Sequence, residues 1–267
     1  MIATDKFNFI HLPKTGGTFT QKIISDYYQN RRKSLLGLIK QKLKIEYCYK
    51  YNNTTRMLNF NSIWGQHGGI NQIPEKFKKN KNVTIIRNPF DWYASLYGFK
   101  WWETNPALTN NLSFKNIKTY PSISFIEMFD FYQQAVIEYG KTIDLDLSTI
   151  GYYTFHFIHF YFSNPNEMFK VLVSESTYDK NDLKEHMHPV KFLTQENLNS
   201  DLYLFLKGEG YKDIDYILNS NKILPHNRGR AKESDQWKEF YNNELFDIVL
   251  EKEELIFNLF PLYAKNI

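Results

Sequence analysis

A lysine, two threonines and two glycines stand together near the beginning of the chain, in the segment Pro13–Thr18 (PKTGGT). The run before it, residues 7–12, is rich in β-forming and apolar residues. The run after it, residues 18–28, has apolar residues at helical spacing. This context predicts a strand, a loop and a helix in that order.

The residue types in this loop suit the binding of a phosphate group. A helix N-terminus presents unpaired N–H groups and the positive end of the helix dipole. Gly16 and Gly17 would let the backbone approach phosphate oxygens, while Thr15 and Thr18 would offer hydroxyl groups. Lys14 would add a positive charge, but it precedes the glycines, whereas the Walker A order places the lysine after them. An ordinary glycine-rich turn with an exposed lysine is the structural alternative.

A second candidate anion site follows the apolar run Val83–Ile86, which reads as a buried parallel strand. Arg87 comes directly after that strand, at the edge where open α/β sheets bind ligands. Ser95 follows about two turns into a predicted helix that covers residues 91–99. An arginine and a hydroxyl converging on one point suit a phosphate monoester, since guanidinium groups form paired hydrogen bonds with its oxygens.

Together the two segments resemble the signatures of the PAPS-dependent sulfotransferases, which use 3′-phosphoadenosine 5′-phosphosulfate (PAPS) as the sulfuryl donor. The first signature resembles Pro13–Thr18. The residues that match the second signature, R-[DN]-P-x-[DE]-x-x-x-S-x-Y, are Arg87, Asn88, Pro89, Asp91, Ser95 and Tyr97. The segment His11–Thr18 looks more like the carbohydrate-modifying branch of the family than the branch that acts on phenols and steroids.

The resemblance implies roles for the residues that match. The loop residues Lys14, Thr15, Gly16, Gly17 and Thr18 would hold the 5′-phosphosulfate, and Lys14 would also act in catalysis.

By the same resemblance, Arg87 and Ser95 would hold the 3′-phosphate. Phe19 falls where many members stack an aromatic ring on adenine, although packing in a helix core explains it equally well. Arg228, Gly229 and Arg230 would form a basic loop over the 3′-phosphate side, with solvated loop charges as the alternative.

The predicted general base is His67, in the segment GQHGG after a predicted strand, residues 57–64. An imidazole suits proton transfer near neutral pH, and related carbohydrate sulfotransferases use a histidine in a similar segment. Gln66 is inserted relative to that pattern. Many members of the family use a carboxylate instead, so Glu103 or Asp91 stays open as the base. His11 is expected to support the site rather than to react. No metal is predicted.

The length allows one large α/β domain or two small ones, and the absence of an internal repeat, a low-complexity block or a linker favours a single domain over residues 1–267. Strands that alternate with helices predict a P-loop-like parallel β-sheet flanked by helices on both faces. The formal net charge of +4 gives no indication of nucleic-acid binding. Cys48 is the only cysteine, and no signal peptide or membrane span is visible, so a cytoplasmic location is expected. The sequence leaves the oligomeric state open.

Three further elements are predicted outside the candidate site. The basic amphipathic segment Leu35–Ile45 reads as a surface helix with its apolar residues inward, which we favour over membrane contact. Helices are also expected over residues 198–208 and 239–260. The aromatic residues Trp101, Trp102, Tyr152, Tyr153 and Phe155 read as core, with stacking on sugar rings as the alternative.

The favoured function is transfer of a sulfuryl group from PAPS to an acceptor hydroxyl, with a glycan or another polar metabolite as the expected acceptor. Two other functions stay open. A P-loop nucleotide phosphotransferase would need the Walker A order and Mg²⁺-binding carboxylates, which we do not find. A non-catalytic nucleotide-binding protein would keep the fold without the chemistry, and the presence of Lys14 and His67 speaks against it.

Overall fold

A computed structural model describes residues 1–50, 67–104, 117–174, 183, 185–220 and 236–264 of the chain. These residues divide into two compact units. The first unit holds residues 1–50, 67–87 and 189–220, and the second holds residues 88–174, 183, 185–188 and 236–264. The fold is α/β, with a five-stranded mixed sheet and flanking helices. Whether the chain is a single domain stays a prediction.

The sheet lies in the first unit. Its strands are β1 (Ile2–Thr4), β2 (Phe7–Phe9), β3 (Cys48–Lys50), β4 (Lys81–Ile86) and β5 (Lys191–Thr194), in the spatial order β3-β1-β2-β4-β5. Strand β4 pairs in parallel with β2 and with β5. Strand β1 pairs antiparallel with both β2 and β3.

The parallel part of the predicted sheet is therefore confirmed, but the expectation of an all-parallel sheet is wrong. The short strand β1 precedes the predicted first strand and forms a hairpin with it. Thr4 stabilises the turn, since its hydroxyl donates to the Phe7 carbonyl at 2.9 Å and accepts from the Phe7 N–H at 3.0 Å. A three-residue strand carries too few residues for periodicity to reveal it. The predicted strand over residues 57–64 lies outside the described residues.

Two helices of the first unit pack on one face of the sheet. These are α1 (Gly17–Arg31) and the helix over Leu198–Gly208. Alternate strand residues point toward them because side chains alternate between the two faces of a strand. The buried residues that form this core include Phe7, Phe9, Val83, Ile85 and Leu193 from the strands, and Phe19, Ile24, Leu198, Leu202 and Leu206 from the helices. Helices on both faces of the sheet, and a P-loop-like topology, stay predictions.

The remaining helices complete the two units. The first unit also contains α2 (Leu35–Lys42). In the second unit the helices are α3 (Pro89–Phe99), α4 (Trp101–Thr104), α5 (Phe125–Lys141), α6 (Tyr152–Tyr161) and α7 (Pro165–Ser174). The helix over Leu198–Gly208 is α8, and α9 (Asn243–Lys252), α10 (Glu254–Leu259) and α11 (Pro261–Ala264) follow in the second unit. Among the described residues, no helix has the length and apolar character that crossing a bilayer requires.

The orientation predicted for α2 is wrong. Its apolar residues do not face inward; Leu35, Leu36 and Leu43 keep 76%, 62% and 65% of their surface exposed. The only buried residue of the helix is Gly37. The amphipathic pattern correctly predicts a helix, but periodicity does not reveal which side of a helix meets the protein.

The aromatic residues predicted as core are mostly buried in the second unit. Trp102, Tyr153 and Phe155 are completely buried and Tyr152 keeps 6% of its surface exposed. The ring of Tyr153 stacks on that of Trp92, with centroids 4.5 Å apart. The core interpretation of these four residues is therefore confirmed.

A buried carboxylate organises the second unit. Glu253 lies between α9 and α10, is completely buried, and accepts hydrogen bonds from the hydroxyl of Tyr93 and the backbone N–H of Tyr153. It also accepts from the backbone N–H and the hydroxyl of Thr154, both at 2.7 Å. The carboxylate thus caps the N-terminus of α6. The prediction of a single helix over residues 239–260 is therefore wrong: a short 3-10 helix covers Gln236–Phe240, α9 begins at Asn243, and Glu253 separates α9 from α10.

Replacement of Glu253 by alanine should unfold the protein more easily, because Tyr93 and two N–H groups of α6 would lose a buried acceptor. We expect a loss of about 3 kcal/mol or more in the free energy of unfolding, since each unsatisfied buried donor costs about 1–3 kcal/mol. Chemical denaturation of Glu253→Ala measures it. A loss below about 1 kcal/mol would show that the carboxylate does not organise this region.

Glu253→Gln is the matched control, because it keeps the shape and one acceptor oxygen. Burial raises the pKa of Glu253 to about 7, above its ordinary value of 4.5. The native state therefore holds this proton more tightly than the unfolded chain, and the stability that it contributes is lost as the pH rises through 7. Wild type should lose stability between pH 5 and pH 8 relative to Glu253→Gln, and a constant difference would contradict the assignment.

Candidate active site

The carboxyl ends of the three parallel strands meet at one edge of the sheet. Strand β2 leads into the loop before α1, β4 leads into Arg87, and β5 leads into Gln195. The loop lies close to the start of α8, since a Cβ atom added to Gly16 would stand 2.7 Å from Cδ2 of Leu198 and 3.8 Å from Cγ of Gln195. The predicted strand–loop–helix arrangement is confirmed here.

The loop has an unusual backbone. Lys14 has a φ of 64° and Gly16 a φ of 98°, so two of its residues adopt left-handed conformations. Lys14 pays a steric cost there that glycine does not. The buried hydroxyl of Thr15 donates to the Leu12 carbonyl at 2.9 Å. Thr15 thus fixes the loop through a bond to the backbone, whereas the sequence predicted its hydroxyl as a donor to phosphate.

The N-terminus of α1 has the properties of an anion site. Gly16 is its N-cap residue and makes no side-chain capping hydrogen bond, and the first turn contains no acidic residue. The N–H groups of the first turn of a helix lack partners within the helix, and the helix dipole places positive charge there. Thr18, in this turn, is exposed. An anion at this position would meet backbone donors without an opposing carboxylate in the turn.

Arg87 is directly linked to the loop. Its Nη1 atom donates a hydrogen bond to the carbonyl oxygen of Lys14 at 2.8 Å. The guanidinium group follows β4, and Lys14 follows the neighbouring parallel strand β2, so the strand pairing brings them together. Ser95, the predicted partner of Arg87, is half-buried in α3 of the second unit. Convergence of Arg87 and Ser95 on one phosphate therefore stays a prediction.

Two histidines form a pair beside the loop. The Nδ1 atom of His67 lies 2.8 Å from the carbonyl oxygen of His11, and the two rings pack edge to face with centroids 4.4 Å apart. A carbonyl oxygen only accepts, so Nδ1 of His67 must carry the hydrogen. In the neutral ring the lone pair that can accept a proton is then on Nε2.

Electrostatics keep His67 neutral. Burial lowers the pKa of His67 to about 4, the hydrogen bond to the His11 carbonyl opposes this shift, and the positive charge of Lys14 adds to the lowering. Burial and the neighbouring His67 also lower the pKa of His11 well below its ordinary value. The pair is therefore uncharged at neutral pH.

His11 is closer to the loop than the sequence indicated. It keeps only 2% of its surface exposed, and its ring fills the space beside Gly17, where a Cβ atom would stand 1.9 Å from Cδ2 of His11. Within the described part of the chain, its Nδ1 atom is buried without a hydrogen-bond partner. Because His11 packs on Gly17 and binds His67 through its carbonyl, it links the anion loop to the candidate base. No sequence pattern indicates that the His11 ring packs on Gly17 or that Gln195 lies close to Gly16.

Of the other residues predicted for the site, one lies in the core of the first unit, two lie in the second unit, and three lie outside the described residues. Phe19 keeps 2% of its surface exposed and belongs to the core between α1 and the sheet, so its ring is not placed to stack on a ligand. The alternative bases Asp91 and Glu103 both lie in the second unit, where Glu103 pairs with Lys100 at 3.0 Å. The predicted basic loop, Arg228, Gly229 and Arg230, lies outside the described residues.

Comparison with known proteins adds no assignment: no protein-family model, curated protein or solved structure matches this chain. The observations that bear on the chemistry of the site are therefore its own residues and the resemblance of its two motifs.

Gly17→Ala tests the packing between the loop and the histidine pair. The new methyl group would overlap the ring of His11 and force it to move, which we expect to cost about 1–3 kcal/mol of stability and to change the chemical shifts of His67. Gly208→Ala, at the end of α8, is the control, because a Cβ atom there meets nothing within 4 Å. Thermal unfolding and histidine NMR spectra of both variants measure these effects. If the two variants have the same thermal stability and the same histidine spectra, the described packing is wrong.

Proposed function

We propose that this chain is a PAPS-dependent sulfotransferase that moves a sulfuryl group to an acceptor hydroxyl. The observation that carries the proposal is the hydrogen bond between Arg87 and the Lys14 carbonyl, which joins the two motifs at the positive end of α1. Arginine, lysine and a helix N-terminus without acidic residues together suit a ligand with several negative charges.

The residues present fit the donor in part. Backbone N–H groups of the loop over residues 14–18, with Lys14, would bind the phosphosulfate end, and Arg87 would bind the 3′-phosphate. In this proposal Thr15 shapes the loop through its bond to the Leu12 carbonyl, and Phe19 belongs to the core and not to the ligand site. Ser95 and the basic residues Arg228 and Arg230 enter the proposal through the motif resemblance.

The proposed base is His67. During transfer, a bond forms between the acceptor oxygen and sulfur, and the bond between sulfur and the bridging oxygen of the donor breaks. The proton of the acceptor hydroxyl passes to Nε2 of His67, whose tautomer is set by the His11 carbonyl. Lys14 would stabilise the negative charge that develops on the bridging oxygen, and 3′,5′-adenosine bisphosphate leaves.

Ligand binding should strengthen this base. The charge of Lys14 lowers the pKa of His67 in the free protein. An anion at the loop would offset that charge and so raise the pKa of the imidazole above its value in the free protein, in the direction that favours a general base. The acceptor itself is proposed from the resemblance alone, as a glycan or another polar metabolite with an exchangeable hydroxyl.

The first test compares ligands by thermal unfolding. A selective ligand at a hundredfold excess over its Kd should stabilise the protein by about 2.7 kcal/mol. We expect 3′,5′-adenosine bisphosphate to do so and AMP or ATP to do so far less, and we expect Lys14→Ala to reduce the effect. Lys79→Ala, an exposed lysine of the first unit, is the control. Stabilisation by ATP with Mg²⁺ and indifference to the bisphosphate would favour a phosphotransferase instead.

The second test follows the histidine directly. NMR titration should show His67 neutral from about pH 5 upward in the free protein, with the hydrogen on Nδ1, because its pKa lies near 4. Saturation with 3′,5′-adenosine bisphosphate should raise this pKa. A His67 that titrates near 6.5 in both states, or that does not respond to the ligand, would remove it as the proposed base.

A further inference from the structure

The helix α2 and the turn after it present apolar residues to solvent. The exposed apolar residues of this segment are Leu35, Leu36, Leu38, Ile39, Leu43 and Ile45. Three of them, Leu35, Ile39 and Leu43, recur every four residues and so form one stripe along the helix. We call residues 35–45 the α2 surface. Contiguous exposed aliphatic side chains are typical of surfaces that bind a partner or a membrane.

The packing of α2 against α1 fixes this outward orientation. Gly37 faces the end of α1 so closely that a Cβ atom there would stand 1.9 Å from the carbonyl oxygen of Arg31. Gly37 lies about 200° around the helix from Leu35, on the opposite side from the apolar stripe. A larger side chain at residue 37 would not fit, so the buried side of α2 is its backbone and the leucines point away.

Ionic contacts hold the same arrangement at the flank of the helix. The carboxylate of Glu46 binds Arg31 of α1 with two hydrogen bonds of 3.0 Å and Lys40 of α2 at 2.9 Å. Ser34 caps the helix by accepting from the N–H of Gly37 at 3.1 Å. The α2 surface is therefore held on α1 with its apolar side outward.

Positive charge is concentrated at the same place. Residues 31–50 contain seven of the chain's 33 basic residues and one of its 29 acidic residues, so this stretch has a net charge of +6 and the rest of the chain has −2. Lys33, Lys42 and Lys44 are exposed. Lysines of this kind can place their charge at a lipid headgroup while the stem lies along apolar surface.

We propose that the α2 surface docks on a membrane that contains anionic phospholipids. Its aliphatic side chains would enter the boundary between headgroups and acyl chains, and the surrounding lysines would meet lipid phosphate and carboxylate groups. Contact with a second copy fits less well, because a two-fold interface would bring two clusters of positive charge face to face. The inference does not depend on the proposed function.

Vesicle sedimentation of the full chain tests the proposal. The protein should sediment with vesicles made of equal parts phosphatidylcholine and phosphatidylserine, and much less with phosphatidylcholine alone. High salt should weaken the binding, since exposed charges are screened. Failure to bind either kind of vesicle would overturn the proposal.

Paired variants separate the two contributions. Leu35→Ser with Leu43→Ser should weaken binding by at least about tenfold, because two aliphatic side chains no longer enter the bilayer. The control pair is Leu204→Ser with Leu218→Ser, whose leucines are 63% and 44% exposed elsewhere in the first unit. Binding equal in both pairs would contradict a role for the α2 surface.

For the charges, Lys33→Glu with Lys42→Glu should weaken binding by about fivefold or more for each lysine. The control pair is Lys79→Glu with Lys212→Glu, which are also exposed. Circular dichroism of every variant checks that it folds.

Two results would replace the proposal with another explanation. Equal binding to both kinds of vesicle would exclude recognition of anionic lipid. Self-association of wild type in light scattering, abolished by Leu35→Ser with Leu43→Ser and accompanied by no vesicle binding, would make the α2 surface an interface between copies.

Discussion

The candidate site depends on the parallel pairing of β4 with β2 on one side and β5 on the other. Because parallel strands end at the same edge, strand pairing alone brings together residues that are far apart in sequence. Lys14 and Arg87 are 73 residues apart, yet the carbonyl of one lies 2.8 Å from the guanidinium of the other. A shift of one residue in this register would turn every strand side chain to the other face and move Arg87 away.

The same edge places the candidate anion loop beside a pair of histidines. Gly17, at the first turn of α1, packs against the ring of His11, and the carbonyl of His11 binds Nδ1 of His67. Burial is the main cause that disfavours the protonated form of His67, and the N-terminal amine and Lys14 add to it. An anion bound at the loop would offset the charge of Lys14, so anion binding would raise the proton affinity of His67.

The sequence predicted the parts of this arrangement that are carried by local patterns. The loop at Pro13–Thr18 and the buried strand β4 follow from glycine content, apolar runs and helical spacing, and the structure confirms them. Side-chain environment was harder to predict. Phe19 suited adenine stacking and core packing equally, and only its position between α1 and the sheet decides for the core.

Features that depend on distant contacts were missed for a physical reason. The break at Glu253 coincides with the contacts of its side chain to Tyr93 and to the start of α6, which the local helical pattern does not contain. The outward orientation of α2 arises because Gly37 meets the Arg31 carbonyl. The roles of Ser95 and Arg228 still rest on motif resemblance, since Ser95 belongs to the second unit and Arg228 lies outside the described residues.

The most direct measurement of the central claim is a crystal structure of the protein with 3′,5′-adenosine bisphosphate. We predict the 5′-phosphate within hydrogen-bond distance of the backbone N–H groups at the start of α1, and the 3′-phosphate against the guanidinium of Arg87. A ligand bound away from this edge of the sheet, or an Arg87 that makes no contact with it, would contradict the assignment of the site.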